Sequence, residues 1–263
     1  MIFRWLTERR REKLLEKPFA DAWKDYLQEN VAAYRLFNDD EKARFHDLVA
    51  VFYDEKNFEQ CGGLDADEAE WDEIRVTIAG CACQMLVGRG DHDLFADVVS
   101  LLVYPSAVVA KAQNRSFFDP GLEPVRGDMP VLGLAVKGGA VVLAWDSVLR
   151  GARHPHDGHN VVIHELAHKI DYLDGAADGT PPLDGSAARR AWVEAFAPAY
   201  LAHKERAERG QKSFLSDYAV TNEAEYFAVA TEAFFEKPAA LARELPDVYA
   251  QLRDFYKLDL AAR

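Results

Sequence analysis

The sequence predicts an α+β fold that is mostly helical, with a small mixed sheet beside one histidine-bearing helix. Apolar residues recur at helical spacing through the first and last thirds of the chain, and three short apolar runs in the middle indicate strands. The length is compatible with one large domain over residues 1–263. We expect a helical N-terminal part (1–95), a part with the sheet and the histidine helix (96–175), and a helical C-terminal part (176–263).

The individual elements follow from apolar spacing and from glycine or proline between them. Helices are predicted at 7–16, 20–27, 30–36, 39–57, 67–73 and 74–87 before the sheet, and at 186–208, 222–236, 238–244 and 246–256 after it. Residues 98–103 are apolar and partly β-branched, which predicts a buried strand. Residues 131–136 and 140–145 flank a Lys-Gly-Gly turn and are predicted to pair as a hairpin. Residues 113–130 contain several prolines and are expected to form a loop.

Composition excludes several classes of function. The net charge is −13 and the pI is about 5.1, which disfavours a general binder of nucleic acid or anionic membranes. No apolar run approaches the roughly 20 residues of a membrane helix, and the N-terminus does not resemble a secretion signal. The cysteines, Cys61, Cys81 and Cys83, do not form a disulfide framework. We therefore expect a cytoplasmic protein, with Cys81 and Cys83 as buried small hydrophobic residues.

Residues 164–168, His-Glu-Leu-Ala-His, form the HExxH pattern that is typical of zinc-dependent hydrolases. Histidines four positions apart lie one above the other on a helix, so His164 and His168 can face the same metal ion. Glu165 lies beside them and can take a proton from a water molecule on the metal, whose pKa zinc lowers to about 7. The pattern therefore predicts a zinc site suited to amide hydrolysis.

The setting of the motif supports this interpretation. The predicted helix spans 159–173, with Asp157 or Asn160 as N-cap and Gly175 as the stop. Its apolar positions have the spacing of a buried helix face. They are Ile163, Leu166, Ala167 and Ile170. The alternative is a surface helix with two solvated histidines, which the amphipathic pattern disfavours.

A catalytic zinc site usually has three protein ligands, so two histidines are not enough. One class of zinc peptidase adds a glycine and a third histidine just after the motif, but Asp171 and Asp174 occupy those two positions here. Asp174 remains a candidate ligand, although the glycine that would turn the chain toward the metal is absent. A glutamate from a later helix is favoured, with Glu225 ahead of Glu194 and Glu223. The pattern alone does not decide among these candidates.

Two further carboxylates are candidates for holding a ligand imidazole in place by accepting its second N–H. Asp171 lies on nearly the same helix face as both histidines. A solvated aspartate at that helix end would face the negative end of the helix dipole, which modestly favours a functional role. Glu232 lies seven residues after Glu225 on the same face of its helix and is the second candidate.

The strand over 140–144 directly precedes the histidine helix. Zinc peptidases commonly bind the substrate backbone as an added strand at a sheet edge, so this strand is a candidate for that edge. An ordinary interior strand is equally compatible with the sequence.

Beyond HExxH, the chain resembles the Mlc titration factor A family of zinc metallopeptidases, whose catalytic core is similar to that of anthrax lethal factor. The matching segments span most of the chain and keep the family's order. They are NFEQCGGL at 57–64, VTIA at 76–79, LVYP at 102–105, VLAWD at 142–146, GHNVVIHELAHKID at 158–171, YAVT at 218–221 and EYFAV at 225–229. One departure is GLAV at 133–136, where the family leads us to expect a more polar strand with a tryptophan. This departure leaves the substrate preference open.

The resemblance implies a zincin-like fold in which His164, His168 and Glu225 bind zinc. It further implies that Glu165 is the general base and that Tyr218 donates a hydrogen bond to the oxyanion. The expected activity is peptide hydrolysis, aminopeptidase-like on short peptides, combined with binding of a Mlc-like repressor of sugar uptake. The alternative is a regulatory protein that binds such a repressor without catalysis.

Overall fold

Helices come first and last along the chain, and a short sheet lies between them. The computed structural model describes residues 2–89, 92–109, 130–131, 133–135, 139–154 and 156–263. The α-helices in these residues are α1 (Ile2–Leu15), α2 (Asp21–Asn30), α3 (Asp39–Glu55), α4 (Glu68–Cys83), α5 (Trp145–Arg153), α6 (Val161–Asp171), α7 (Gly185–Glu208), α8 (Glu223–Glu236), α9 (Pro238–Glu244) and α10 (Pro246–Tyr256). Short 3₁₀ segments lie at Ala32–Leu36, His92–Phe95, Tyr172–Asp174 and Asp217–Val220.

The strands are β1 (Asn57–Gln60), β2 (Ser100–Tyr104), β3 (Val108–Val109), β4 (Pro130–Val131), β5 (Gly133–Ala135) and β6 (Ala140–Ala144). Four of them form one mixed sheet in the order β1-β2-β6-β5, in which β1, β2 and β6 run parallel and β5 runs antiparallel to β6. Strands β3 and β4 form a separate antiparallel pair. The predicted mostly helical α+β fold with a small mixed sheet is confirmed.

Of the two alternatives for residues 140–144, the structure has the interior strand and contradicts the sheet edge. Strand β6 lies between β2 and β5, so its backbone groups are paired on both sides. The edges of this sheet are β1 and β5, and β5 packs against α6. The predicted hairpin is confirmed for β5 and β6, in which Leu134 pairs with Val142. The predicted loop at 113–130 lies outside the described residues except for its last position.

Other boundaries differ from the prediction for local reasons. Residues 67–73 and 74–87 were expected as two helices, but one continuous helix, α4, covers residues 68–83 and ends before residue 87. Its N-cap Asp67 accepts a hydrogen bond from Glu70 N. Strand β1 was not predicted because it is short, polar and largely exposed. Helix α5 was not predicted either, since it is short and charged and continues directly from β6.

One hydrophobic core joins the helices to the inner face of the sheet. Cys81 and Cys83 on α4 are buried within it, as predicted. Helix α4 packs against α6, and α6 packs against α8. Within the described residues, no helix has both the length and the apolar character that crossing a membrane requires. The core therefore fixes α6 and α8, the two helices that carry the candidate ligands, side by side.

Candidate metal centre

Helix α6 presents the two histidines of the motif. Its N-cap is Asn160, whose Oδ1 accepts a hydrogen bond from Ile163 N at 3.2 Å. The predicted apolar face is confirmed as buried. Its members are Ile163, Leu166, Ala167 and Ile170. A short 3₁₀ turn follows the helix, and Gly175 closes it at φ 91°, a left-handed conformation that glycine adopts without strain. The histidines therefore lie on a helix that is fixed at both ends.

Helix α8 presents Glu225 in its first turn. The N-cap is Asn222, whose Oδ1 accepts a hydrogen bond from the backbone N–H of Glu225 at 2.9 Å. A carboxylate in the first turn of a helix is stabilised by the positive end of the helix dipole. The cap thus fixes the position of Glu225, and the helix dipole favours its negative charge.

Three atoms from the two helices converge. Nε2 of His164 lies 3.0 Å from Oε2 of Glu225, Nε2 of His168 lies 3.3 Å from the same oxygen, and the two Nε2 atoms are 3.2 Å apart. Ligand atoms around a tetrahedral zinc ion, with bonds of about 2.0–2.1 Å, are separated by about 3.3 Å. The triangle of donor atoms therefore has the size that zinc requires.

The chemistry of these donors also fits a cation. Oε2 of Glu225 is buried, and no described residue donates it a hydrogen bond with acceptable angles, although the two ring nitrogens are close. Burial alone would raise the pKa of Glu225, but His164 and His168 hold it well below its usual range. Burial likewise opposes a charge on His164, yet the carboxylates of Glu225 and Glu232 raise the pKa of that imidazole well above its usual range. The surroundings favour a positive charge at this point, as proton or as metal ion.

Glu232 makes the contact that its predicted role requires. Its Oε1 lies 2.7 Å from Nδ1 of His164, and its Oε2 accepts a hydrogen bond from the backbone N–H of Asn160 at 2.6 Å. A proton held on Nδ1 leaves the lone pair of Nε2 free for a metal ion. Glu232 is buried, so both of its oxygens depend on these contacts.

Asn160 links the two helices through three of its groups. Its Oδ1 caps α6, and its backbone N–H donates a hydrogen bond to Glu232. Its Nδ2 donates a hydrogen bond to Oε1 of Glu236 at 3.2 Å. Sequence reasoning identified Asn160 as a cap but did not find Glu236 or this link. The available signal was the spacing of Glu225, Glu232 and Glu236, which places all three carboxylates on one face of α8.

Tyr218 lies at the rim of the site. Its hydroxyl donates a hydrogen bond to Oε1 of Glu225 at 3.2 Å, and its ring centroid is 5.8 Å from that of His164. Burial of the hydroxyl, together with the Glu225 carboxylate, raises the pKa of Tyr218 above its usual range. Tyr218 therefore stays a hydrogen-bond donor at neutral pH, and half of the side chain (49%) remains exposed to solvent.

Glu165 is buried, with 7% of its surface exposed. After burial and the Glu225 carboxylate, the charge of Glu165 is a further cause of the raised pKa of Tyr218. Glu165 is therefore near enough to the site for its charge to act on the groups there. Its assignment as the general base stays a prediction.

Asp171 accepts two backbone hydrogen bonds that the sequence did not predict. Its two oxygens accept hydrogen bonds from the backbone N–H groups of Gly179, at 3.1 Å, and Thr180, at 2.9 Å. Gly179 has φ 76°, and a Cβ at this position would lie 2.4 Å from the carbonyl oxygen of Glu223. Asp171 thus clamps a loop that packs on the first turn of α8, close to Glu225. A role for Asp171 in orienting a ligand imidazole stays a prediction.

The other ligand candidates have separate environments. Among the described residues, His164, His168 and Glu225 form the group of three whose ligand atoms lie within 4.8 Å of one another. Asp174 accepts a hydrogen bond from Ala176 N and lies 3.8 Å from Arg189. Glu194 and Glu223 are not part of the cluster. The geometry therefore favours Glu225 among the open alternatives.

Two histidines one helical turn apart, a glutamate between them and a carboxylate from a second helix are the arrangement of the zincin-like metallopeptidases. The model of the family described as glucose-regulated metallo-peptidase M90 matches residues 5–257. The chain belongs to this family of metallopeptidases, and the zincin-like fold is confirmed.

The chain is also similar to individual proteins, two of which are Mlc titration factors. The chain is 40% identical over 192 residues to Mlc titration factor A of Edwardsiella ictaluri, which covers 71% of this chain and 69% of that protein. It is 35% identical over 182 residues to Mlc titration factor A of Pectobacterium atrosepticum. This match covers 67% of this chain and 64% of that protein. It is 30% identical over 257 residues to the uncharacterized protein slr2042 of Synechocystis. This match covers 97% of this chain and 90% of that protein. The resemblance to Mlc titration factor A is confirmed.

Proposed function

We propose that this protein is a zinc-dependent peptidase whose metal ligands are His164, His168 and Glu225. The observation that carries this proposal is the convergence of two Nε2 atoms and one carboxylate oxygen at separations of 3.0–3.3 Å. Two nitrogens and one oxygen are a frequent ligand set for catalytic zinc. When bound, zinc polarises a substrate carbonyl and lowers the pKa of water to about 7.

The side chains around the ligands have separate tasks in this proposal. The carboxylate of Glu165 takes the proton of the attacking water and delivers it to the nitrogen of the leaving amine. The Tyr218 hydroxyl donates a hydrogen bond to the carbonyl oxygen as negative charge develops there, exchanging its present acceptor Oε1 of Glu225 for the substrate. Glu232 keeps the proton of His164 on Nδ1 throughout, so the ligand set does not change.

The substrate backbone is proposed to pair with strand β5. Strand β6 has partners on both sides, whereas β5 is an edge of the mixed sheet and packs against α6. An extended peptide can add to such an edge through main-chain hydrogen bonds. Aminopeptidase-like action on short peptides is the proposed form of the activity, on the strength of the family resemblance.

The names of the relatives support a second proposed role, the binding of a Mlc-like transcriptional repressor. A regulatory protein that binds such a repressor without catalysis is the alternative function. The presence of Glu165 favours the enzyme, since a purely structural zinc site does not need a general base. A cytoplasmic location is proposed with this role, and the free buried thiols of Cys81 and Cys83 agree with a reducing compartment.

The test is mass-spectrometric digestion of a mixed peptide library by the zinc-loaded protein, with Glu165→Gln as the matched control. Cleavage by the wild type alone supports the peptidase, and cut positions next to the N-terminus support aminopeptidase action. Equal patterns for both proteins contradict the assignment of Glu165. No cleavage by a stoichiometrically zinc-loaded wild type, together with repressor binding by both proteins, favours the regulatory alternative.

A further inference from the structure

The 3₁₀ turn that carries Tyr218 has different anchors at its two ends. At its end, the hydroxyl of Tyr200 on α7 donates a hydrogen bond to the carbonyl oxygen of Val220 at 3.4 Å. At its start, Ser216 occupies the N-cap position, but its side chain makes no capping hydrogen bond. The next side chain, that of Asp217, is 78% exposed. The start of the turn therefore depends on a contact that a neighbouring helix must supply.

His203 lies on α7 three residues after Tyr200 and faces the start of the same turn. Its side chain is 5% exposed, and its Nε2 lies 3.9 Å from Oδ1 of Asp217. This separation is longer than a hydrogen bond, and no described residue forms a hydrogen bond with that nitrogen. Buried polar atoms in folded proteins almost always have a partner. A movement of Asp217 by about 1 Å would supply one.

The charges around His203 decide whether the imidazole draws the carboxylate in. Burial lowers the pKa of His203 below its usual value; the Asp217 carboxylate opposes this shift, and the nearby Arg206 adds to it. The imidazole is therefore neutral at neutral pH. From α8 it faces the ring of Tyr226, whose centroid is 6.1 Å away and whose own pKa is raised by burial, so that this phenol stays uncharged. Helix α10 meets α7 near Trp192, about three helical turns before His203.

A protonated imidazole donates a charge-assisted hydrogen bond that a carboxylate accepts at about 2.7–2.9 Å. We propose that His203 and Asp217 form a pH-operated latch on the turn of Tyr218. Protonation of His203 draws the Asp217 carboxylate into a direct hydrogen bond and fixes the start of the turn to α7. At higher pH the imidazole is neutral, the pair stays 3.9 Å apart, and α7 holds the turn at its end.

The latch makes His203 a positioning residue for Tyr218. Tyr218 directly follows Asp217, and its hydroxyl reaches Oε1 of Glu225 at the metal centre. Fixing the start of the turn narrows the range of positions open to that hydroxyl. The effect on catalysis rests on the proposed function, whereas the latch itself depends only on the contact between α7 and the turn.

The first arm of the test is an NMR pH titration of the imidazole signals of the full chain, in which the signal of His203 is the one that His203→Gln lacks. Asp217→Asn should lower the apparent pKa of His203 by about 0.5–1 unit, because a nearby negative charge stabilises the imidazolium. Glu208→Gln is the matched control, since it removes an exposed carboxylate of α7 and should leave this pKa unchanged. An equal pKa of His203 in the wild type and in Asp217→Asn would overturn the pairing.

The second arm is hydrogen exchange of the backbone N–H groups of Ala219 and Thr221, which close the turn. After correction for the intrinsic effect of pH, exchange in the wild type should be about twofold to fivefold slower below the pKa of His203 than above it. This difference should be absent in Asp217→Asn. A difference that persists in Asp217→Asn, or no difference in the wild type, would overturn the latch. Peptidase activity enters neither readout, so the outcome is independent of the proposed function.

Discussion

Oε1 of Glu232 lies 2.7 Å from Nδ1 of His164, and this contact joins the centre of α8 to the proposed metal ligand on α6. The other oxygen of Glu232 receives the backbone N–H of the residue that caps α6. One buried carboxylate therefore fixes both the tautomer of an imidazole and the start of the helix that carries it.

Replacing Glu232 with glutamine should weaken zinc binding by about 10- to 100-fold, the usual effect of removing an outer partner of a ligand histidine. Glutamine keeps the shape of the side chain but accepts the imidazole proton less strongly. Competition titration against a zinc-sensitive dye measures the affinity, and thermal unfolding of the metal-free variant checks the fold. A well-folded variant with wild-type zinc affinity would show that the contact does not hold the ligand.

Replacing Tyr218 with phenylalanine should lower kcat by about 100- to 1000-fold, as removal of one oxyanion donor does in other hydrolases. The hydroxyl contacts a carboxylate oxygen that is not part of the ligand triangle, so zinc stoichiometry should stay unchanged. Steady-state kinetics on a peptide found in the library digestion, with metal analysis, gives both quantities. An unchanged kcat would assign Tyr218 a purely structural role.

Replacing Asp171 with asparagine should destabilise the protein by about 2–4 kcal/mol, because a buried amide group would then face a backbone N–H. Asp178 offers a matched control, since its exposed carboxylate also accepts a hydrogen bond from Thr180 N. Asp178→Asn should cost less than about 1 kcal/mol. Urea unfolding of the metal-free proteins measures both. Equal effects of the two substitutions would contradict the clamp role of Asp171.

Glu236 should make the stability of the metal-free protein depend on pH. Burial raises the pKa of this carboxyl from 4.5 to about 8. Because the pKa is raised in the folded state, the protonated carboxyl contributes its full stabilisation below the ordinary pKa of 4.5. This stabilisation is lost as the pH rises through about 8. Glu236→Gln removes the ionisation, so its stability relative to the wild type should increase by about 1–3 kcal/mol between about pH 6 and about pH 9. Urea unfolding at both pH values tests this, and a pH-independent difference would contradict it.

Local patterns in the sequence were sufficient for the elements whose shape depends on near neighbours. The spacing of His164 and His168 places both on one helix face, and Asn160 caps that helix as expected. Strand β1 and the interior position of β6 could not be predicted, because both depend on pairing with distant segments. For the same reason, residue patterns left the third ligand open, since Glu225 meets the histidines only after α6 and α8 pack together.

The roles of the surrounding carboxylates were harder to predict, because each depends on contacts across the fold. Glu232 lies on the expected helix face, but its second contact is to a backbone group 72 residues away. Asp171 was predicted to orient a ligand imidazole, and its hydrogen bonds with backbone N–H groups of the following loop could not be predicted from the sequence. A sequence pattern gives the face of a helix and does not show which distant group approaches that face.

The most direct test of the central claim is a crystal structure of the zinc-loaded protein with anomalous diffraction at the zinc edge. The account predicts one ion about 2.0–2.2 Å from Nε2 of His164, Nε2 of His168 and a carboxylate oxygen of Glu225. Metal analysis of Glu225→Gln and Glu223→Gln accompanies it, with zinc lost in the first variant and retained in the second. An ion bound away from Glu225, or full zinc content in Glu225→Gln, would contradict the account.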